Sequence, residues 1–247
     1  MVLAFGGKSG AGFMTDGKSF SIAKALGHSI TSLYPSLVQI KTEREKIRGL
    51  KGVKIQAEVG LYVDKTHVCT FGGDILFTDY GVSGNSIFSL SAYLKNEKNA
   101  SLKISYLPDF GAGELYEILS KKASTNITNE RLLVSILPTR LALAVLKQAG
   151  QNASDIATNK SVSAIVNAIK GFTLKVEGKL GFESSQVTAG GICTKEIYAS
   201  SMQSKINKGL YVIGEALDVD GDCGGYNLQW AYSSASVCAE DILNEKN

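Results

Sequence analysis

Asp218-Val219-Asp220-Gly221-Asp222-Cys223-Gly224-Gly225 places three carboxylates and three glycines directly ahead of Tyr226-Asn227-Leu228. Alternating aspartates open an EF-hand calcium loop, which also needs glycine at its sixth position and a bidentate glutamate at its twelfth. Those positions hold Cys223 and Gln229, and a strand-like run precedes the loop, so the pattern argues against calcium. Two readings remain. One is a solvated strand-to-helix turn, in which Asp and Gly are favoured for local reasons. The other is a ligand lying against Gly224-Gly225, with the amides of Tyr226, Asn227 and Leu228 donating to its electron-rich oxygens from a helix start. Nearby carboxylates would accept from sugar hydroxyls. A ligand with both polyols and polarised carbonyls is a nucleotide-bearing cofactor, and a flavin meets that description.

The elements around this loop are legible. Leu210 to Ile213 reads as a buried strand and the residues after Gly225 as a helix of small and apolar side chains. At the other end, Val2 to Phe5 reads as the tail of a strand with no predecessor to pair with, running into Gly6-Gly7-Lys8-Ser9-Gly10-Ala11-Gly12. Thr15-Asp16-Gly17 caps a helix from Lys18 to Leu26 with Phe20, Ala23 and Leu26 on one face, and Gly27 stops it. Tyr34-Pro35-Ser36 breaks this pattern. Val53, Ile55, Ala57, Val59, Leu61 and Val63 then alternate at the period of a half-buried strand. Val68–Phe71, Ile75–Thr78 and Leu102–Tyr106 are further strands of a small antiparallel sheet or barrel. From Gly113 the spacing becomes helical: Leu115, Ile118 and Leu119; Leu132, Leu133, Ile136 and Leu137; Leu141, Ala144, Val145 and Ala149; then Ser161 to Ile169, ended by Gly171. Phe172, Leu174 and Val176 return to alternation.

Bulk properties bound the partners. The 247 residues are 44% apolar and 20% charged, ordinary for a globular protein, and the 26 glycines exceed common usage. Net charge is +3 and only four of 26 basic residues are arginine, so no nucleic-acid partner is expected. Cys69, Cys193, Cys223 and Cys238 are too scattered for a zinc site with His28 and His67, or for a disulfide framework. No basic leader precedes an apolar run and no apolar stretch spans a membrane, which predicts a cytoplasmic protein. The triplets at Asn99, Asn126 and Asn152 are then chance matches to a glycosylation motif. No nucleophile motif or acid–base pair stands out, so no catalytic residue and no metal ligand is assigned. Cys223 reads as an inert small side chain, His28 as a helix C-terminal cap, His67 as solvated, and Trp230 as a packing residue.

GLYVIGEALDVDGDCGGYNLQWAYSSASVCAEDI resembles the carboxy-terminal signature of bacterial NAD(P)/FAD-dependent oxidoreductases. This family is often labelled aminoacetone-oxidase-like and includes reductases acting on bile-acid intermediates. FGGKSGAGFMTDGKSFSIAKALGHSITSLYPSLVQI is similar to the family's stretch after its early strands, GGDILFTDYGVSGNSIFSLS to its insert-domain motif, and VTAGGICTKEIYASSMQSK to its return into the flavin domain. The resemblance implies an α/β, Rossmann-like FAD-binding domain (residues 1–35 and 184–247) interrupted by an α+β insert (36–183). It implies FAD as cofactor, NAD(P)H as a reductant, and a small-molecule substrate. Gly6 and Gly7 would lie near the cofactor, and Gly214, Glu215 and Asp218 would face its ribityl and pyrophosphate region. Gly224, Gly225, Tyr226, Asn227 and Leu228 would cradle the ring, and Thr188-Ala189-Gly190-Gly191 would approach from the substrate side.

The chain also departs from that family. The usual opening G-x-G-x-x-G turn, which holds the pyrophosphate, is missing from GGKSGAG and from GGIC. Asp79 stands where many relatives have histidine, and Asn85 where they have proline. The expectation is a truncated family member with an exposed strand edge and apolar surface that favour a homo-oligomer. The alternative is a natively short binding or interaction module that no longer holds FAD.

Overall fold

The structure is a computed structural model that describes residues 1–10, 12, 15–94 and 99–244. Ala11 of the first glycine run therefore lies outside the described residues. Two compact units divide the chain: Met1–Val38 together with Leu180–Asn247, and Gln39–Lys179.

The first unit opens with β1 (Val2–Leu3), α1 (Phe20–Ala25) and β2 (Tyr34–Ser36). Helix α1 is shorter than the Lys18–Leu26 span its pattern predicts. The Lys18 N–H donates to Asp16 Oδ1 at 2.9 Å, closing an Asx turn before the helix starts. Gly27, at φ +86°, ends it. Phe20 and Ala23 are buried. Tyr34-Pro35-Ser36 does not merely break a pattern; it forms a strand. Proline is tolerated because the ladder has only two strands, so every residue is on an edge.

The second unit runs through β3 (Ile40–Thr42), α2 (Arg44–Ile47), β4 (Lys54–Val63), β5 (Thr66–Phe77), β6 (Gly81–Ser83) and α3 (Asn85–Tyr93). It continues through β7 (Ala100–Tyr106), α4 (Ala112–Ala123), α5 (Asn129–Leu133), α6 (Thr139–Gln148), α7 (Asn159–Lys170) and β8 (Phe172–Lys179). The strands close a six-stranded antiparallel barrel in the order β3-β6-β5-β4-β7-β8. Alternation builds its interior. Leu61, Leu102 and Leu174 are paired across β4, β7 and β8, and all three are wholly buried. Burying each such side chain contributes about 1.5–3 kcal/mol.

Two sequence expectations need correction here, and one strand and one helix were not foreseen. The segments Val68–Phe71 and Ile75–Thr78 are one strand that stops at Phe77, because pairing of Gln56–Val59 with Phe71–Asp74 carries the ladder straight through Gly72-Gly73. The GGDILFTDYGVSGNSIFSLS motif contains strand β6 and helix α3, whose serines Ser86, Ser89 and Ser91 are buried and hide the helical period. Helix α7 starts two residues before Ser161, because Thr158 and Ser161 form a reciprocal capping box. Tyr106 in β7 is wholly buried, and its hydroxyl finds no partner among the described residues.

The chain then returns to the first unit through β9 (Val187–Ala189), β10 (Tyr211–Val212) and α8 (Tyr226–Asn244). Strand β1 does have a partner: it pairs in parallel with β10, Val2 opposite Tyr211 and Leu3 opposite Val212. Leu3, Phe20, Ala23, Ile192, Tyr211, Val212, Leu217 and Cys238 form the core of this unit. No described helix is long and apolar enough to cross a membrane.

Candidate functional site

Strand β10 leads through a one-turn 3-10 helix at Gly214–Ala216 and the acidic loop into α8. Two hydrogen bonds clip this crossing to the helix it feeds. The Gly214 N–H donates to Ser234 Oγ at 3.0 Å, and Trp230 Nε1 donates to the Gly214 carbonyl at 3.1 Å. Trp230 is therefore a packing and anchoring residue. The loop is closed from the helix side by Asn227, whose Oδ1 accepts the Gly221 N–H at 2.8 Å and whose Nδ2 donates to Gly221 O at 2.9 Å.

The first i→i−4 bond of α8 runs from Gln229 N to Gly225 O at 3.0 Å. The amides of Tyr226, Asn227 and Leu228 thus precede the helix's own ladder, where a helix start presents donors. Gly224 and Gly225 adopt φ +129° and +95°, which a side chain rarely tolerates, and a Cβ built on Gly225 would meet nothing within 4 Å. The mouth of the helix is open.

A cleft of about 240 Å³ lies there, lined by Leu37, Gln186, Val187, Glu215, Asp222, Gly224, Gly225, Asn227 and Leu228. That is below the ~300–1,000 Å³ of sites that enclose a whole drug-sized ligand, so it can seat one part of a larger one. Five of the expected residues meet in it: Glu215, Gly224, Gly225, Asn227 and Leu228. Leu37, Gln186 and Val187 were not foreseen. The β2–β9 ladder brings them in by pairing Ser36 with Val187. Leu37 is buried at φ +50°, a left-handed conformation that a leucine takes only under constraint.

The remaining expected residues lie outside the cleft lining, several with work inside the fold. A Cβ on Gly7 would collide with Glu215 and Thr188; one on Gly190 would strike the Ser32 backbone, and one on Gly191 the Leu217 backbone. These three glycines allow segments of the protein itself to touch. Gly6, at φ +75°, faces open space, Asp218 donates its N–H to Ile192 O at 2.9 Å, and Tyr226 is 65% exposed.

Thr188 is the hub of this region. Its Oγ1 accepts the N–H groups of Lys8 at 2.7 Å and Ser9 at 2.9 Å, while its own N–H donates to Glu215 Oε1 at 2.6 Å. Burial pushes the Glu215 carboxyl above its usual range and the charge of Asp220 adds to the rise, against the pull of the Thr188 donors.

His28 is not a helix cap by its side chain. Its backbone N–H closes α1 on Ala23 O at 3.0 Å, but the buried imidazole turns to Glu196 Oε2 at 2.8 Å and Ser204 Oγ at 2.9 Å. Ser204 Oγ also accepts the N–H groups of Ile206 and Asn207, at 3.0 and 2.9 Å. Such a fully engaged, buried serine is a clamp rather than a nucleophile. At Glu196, burial works to raise the carboxyl, but hydrogen bonds from Ser29 and the imidazole of His28 outweigh it and hold it below the usual range. Among the described residues, no three His, Cys, Asp or Glu side chains are grouped to hold a metal ion. Among the described residues, Cys69, Cys193 and Cys238 take part in no disulfide.

The model of the family described as "HI0933-like protein Rossmann domain" matches residues 1–241. The chain belongs to this family. Membership bears out the resemblance to bacterial flavoprotein oxidoreductases and gives the chain a Rossmann-like class. Among relatives of the HI0933-like chain, the 3-dehydro-bile acid delta(4,6)-reductase of Clostridium scindens is 31% identical over 244 residues, covering 95% of this chain and 59% of the relative. The ribosomal RNA dihydrouridine synthase of Escherichia coli is 29% identical over 254 residues, covering 100% and 61%. That of Haemophilus influenzae is 33% identical over 250 residues, covering 99% and 60%. The chain thus spans about three fifths of the length of these relatives.

Proposed function

We propose that the α8 mouth holds part of an FAD molecule and that the chain serves an oxidoreductase that adds hydrogen across a carbon–carbon double bond, with NAD(P)H as the reductant. The observation that carries this reading is the open helix start: three amides ahead of the helical ladder, two glycines whose backbone a ligand can touch, and a cleft beside them. The donor set fits the group. The amides of Tyr226, Asn227 and Leu228 would donate to the electron-rich oxygens of the ring, and Glu215 and Asp222 would accept from ribityl hydroxyls. When bound, the flavin supplies hydride transfer, and the protein's part is to position it and exclude side reactions. Both kinds of relative carry a reduced double bond in their names, which supports this reaction class.

The two substrate readings differ. One relative's name points to a bile acid, a small apolar molecule; two point to a uridine in ribosomal RNA. The 19 basic against 13 acidic side chains of Gln39–Lys179 favour the RNA reading, although the net charge of +3 for the whole chain argued against a nucleic-acid partner.

Titration of FAD, followed by quenching of flavin fluorescence and by the visible spectrum, tests the cofactor reading. Saturable binding is expected, weakened about tenfold or more by Gly225→Val, equivalent to about 1.4 kcal/mol or more. A spectrum that never departs from that of free FAD would sink it.

A further inference from the structure

Charge is divided unevenly between the two compact units. Gln39–Lys179 carries 19 basic against 13 acidic side chains, a net of +6, whereas Met1–Val38 with Leu180–Asn247 nets −3. All four arginines are in the former, and Arg44, Arg48 and Arg140 gather around the short helix α2. Open clefts of about 420, 390 and 330 Å³ flank that helix, lined by these arginines and by Lys46, Lys51 and Lys147.

The lysines of this face are already spoken for. Lys46 pairs with Glu43 at 3.1 Å, Lys51 with Asp79 at 3.0 Å, and Lys147 with Glu45 at 3.4 Å. The hydrogen bond from Lys51, with smaller help from the backbone and from the charge of Arg44, holds the Asp79 carboxyl below its usual range. These acids therefore offset the lysines. Arg140 uses Nη1 to bind the carbonyls of Gly49 at 3.2 Å and Lys51 at 2.9 Å, which fixes the loop after α2. Arg44 and Arg48 are four residues apart and exposed, and neither forms an ion pair among the described residues. Arg44 lies in α2 and Arg48 caps it, directly before the loop that Arg140 pins, and a guanidinium offers a planar fork suited to a phosphate, which a lysine does not.

We propose that the α2 face binds the phosphate backbone of structured RNA, with Arg44 and Arg48 as its direct contacts. This rests on the RNA reading of the function. A chain of phosphates fits better than one small anion because the clefts are open and spread along a face. Backbone and shape contacts are also the main way in which helical RNA is recognised.

The test is binding of a labelled ribosomal RNA fragment to the full chain over a range of salt concentrations. The chain should bind, and Arg44→Ala/Arg48→Ala should weaken binding about tenfold or more. Losing two phosphate contacts should also flatten the salt slope by about 1.5. Lys121→Ala/Lys160→Ala removes the same charge elsewhere on the unit and should change affinity less than twofold. Arg44→Lys/Arg48→Lys, which keeps the charge and guards against misfolding, should recover part of the loss. If the wild-type chain binds RNA and the two alanine pairs behave alike, the α2 face is not the site, while the RNA reading stands. If the wild-type chain binds no RNA, the RNA reading itself falls and takes the site with it.

Discussion

Asn227 grips both backbone polar groups of Gly221, at 2.8 and 2.9 Å, so the first turn of α8 fastens the acidic loop that precedes it. The same residue lines the cleft at the helix mouth. One side chain thus couples the shape of the loop to the openness of the site. Its carboxamide is needed for both bonds, since one is donated and one accepted.

Replacing Asn227 with Ala removes two hydrogen bonds worth about 0.5–1.5 kcal/mol each. We expect a stability loss of about 1–3 kcal/mol in urea unfolding and a larger proportional loss of FAD affinity. Asn227→Asp keeps the acceptor but loses the donor, and should fall between. Wild-type FAD affinity in Asn227→Ala would separate the loop from the site.

Glu215 should make the folded state less stable as pH rises. Its folded-state pKa is raised above the ordinary carboxylate value, so the native protein holds this proton more tightly than the unfolded chain. Stability from this group is present below about 4.5 and declines as pH climbs through the raised value. Glu215→Gln should erase that decline, seen as melting temperatures that converge with wild type in acid and exceed it at neutral pH. A constant difference at every pH would contradict this.

Glu196 should behave in the opposite sense. Its folded-state pKa lies below the ordinary carboxylate value, so its contribution is full above that value and is lost as pH falls through the depressed one. Glu196→Gln should therefore cost stability at neutral pH and little in strong acid. His28→Ala removes the buried imidazole between Glu196 and Ser204, and should cost about 2–4 kcal/mol through lost packing and lost bonds. Ser204→Ala should leave any catalytic turnover intact once the protein is folded, since the serine serves the fold.

Tyr106 offers a stabilising change. Burial raises the pKa of its phenol well above the ordinary value, and the hydroxyl has no partner among the described residues. Tyr106→Phe keeps the ring contact with Phe172, at 5.6 Å between centroids, and removes the orphaned group. Chemical denaturation should show a gain of up to about 1 kcal/mol. A loss of that size would mean the hydroxyl is satisfied in solution.

Neighbouring residues alone were enough for some of this protein. The alternation of Ala57, Val59 and Leu61 specifies a strand with one buried face, and Gly224-Gly225 before an apolar helical run specifies where α8 begins. Both follow from backbone geometry over a few residues. Other features depend on segments far apart in sequence. Leu37, Gln186 and Val187 join the cleft because β2 and β9 pair across some 150 residues, and nothing near Leu37 announces that. Thr188 becomes a hub only when Lys8 and Glu215 fold onto it, and Gly7, Gly190 and Gly191 prove to be glycines because other backbone or side chains press on them. The basic face of the barrel unit was hidden in a net charge of +3 until the fold sorted 19 cations and 13 anions into one body. Local steric preference can be read along the chain, but contact and field depend on distance in space, which only the folded chain defines.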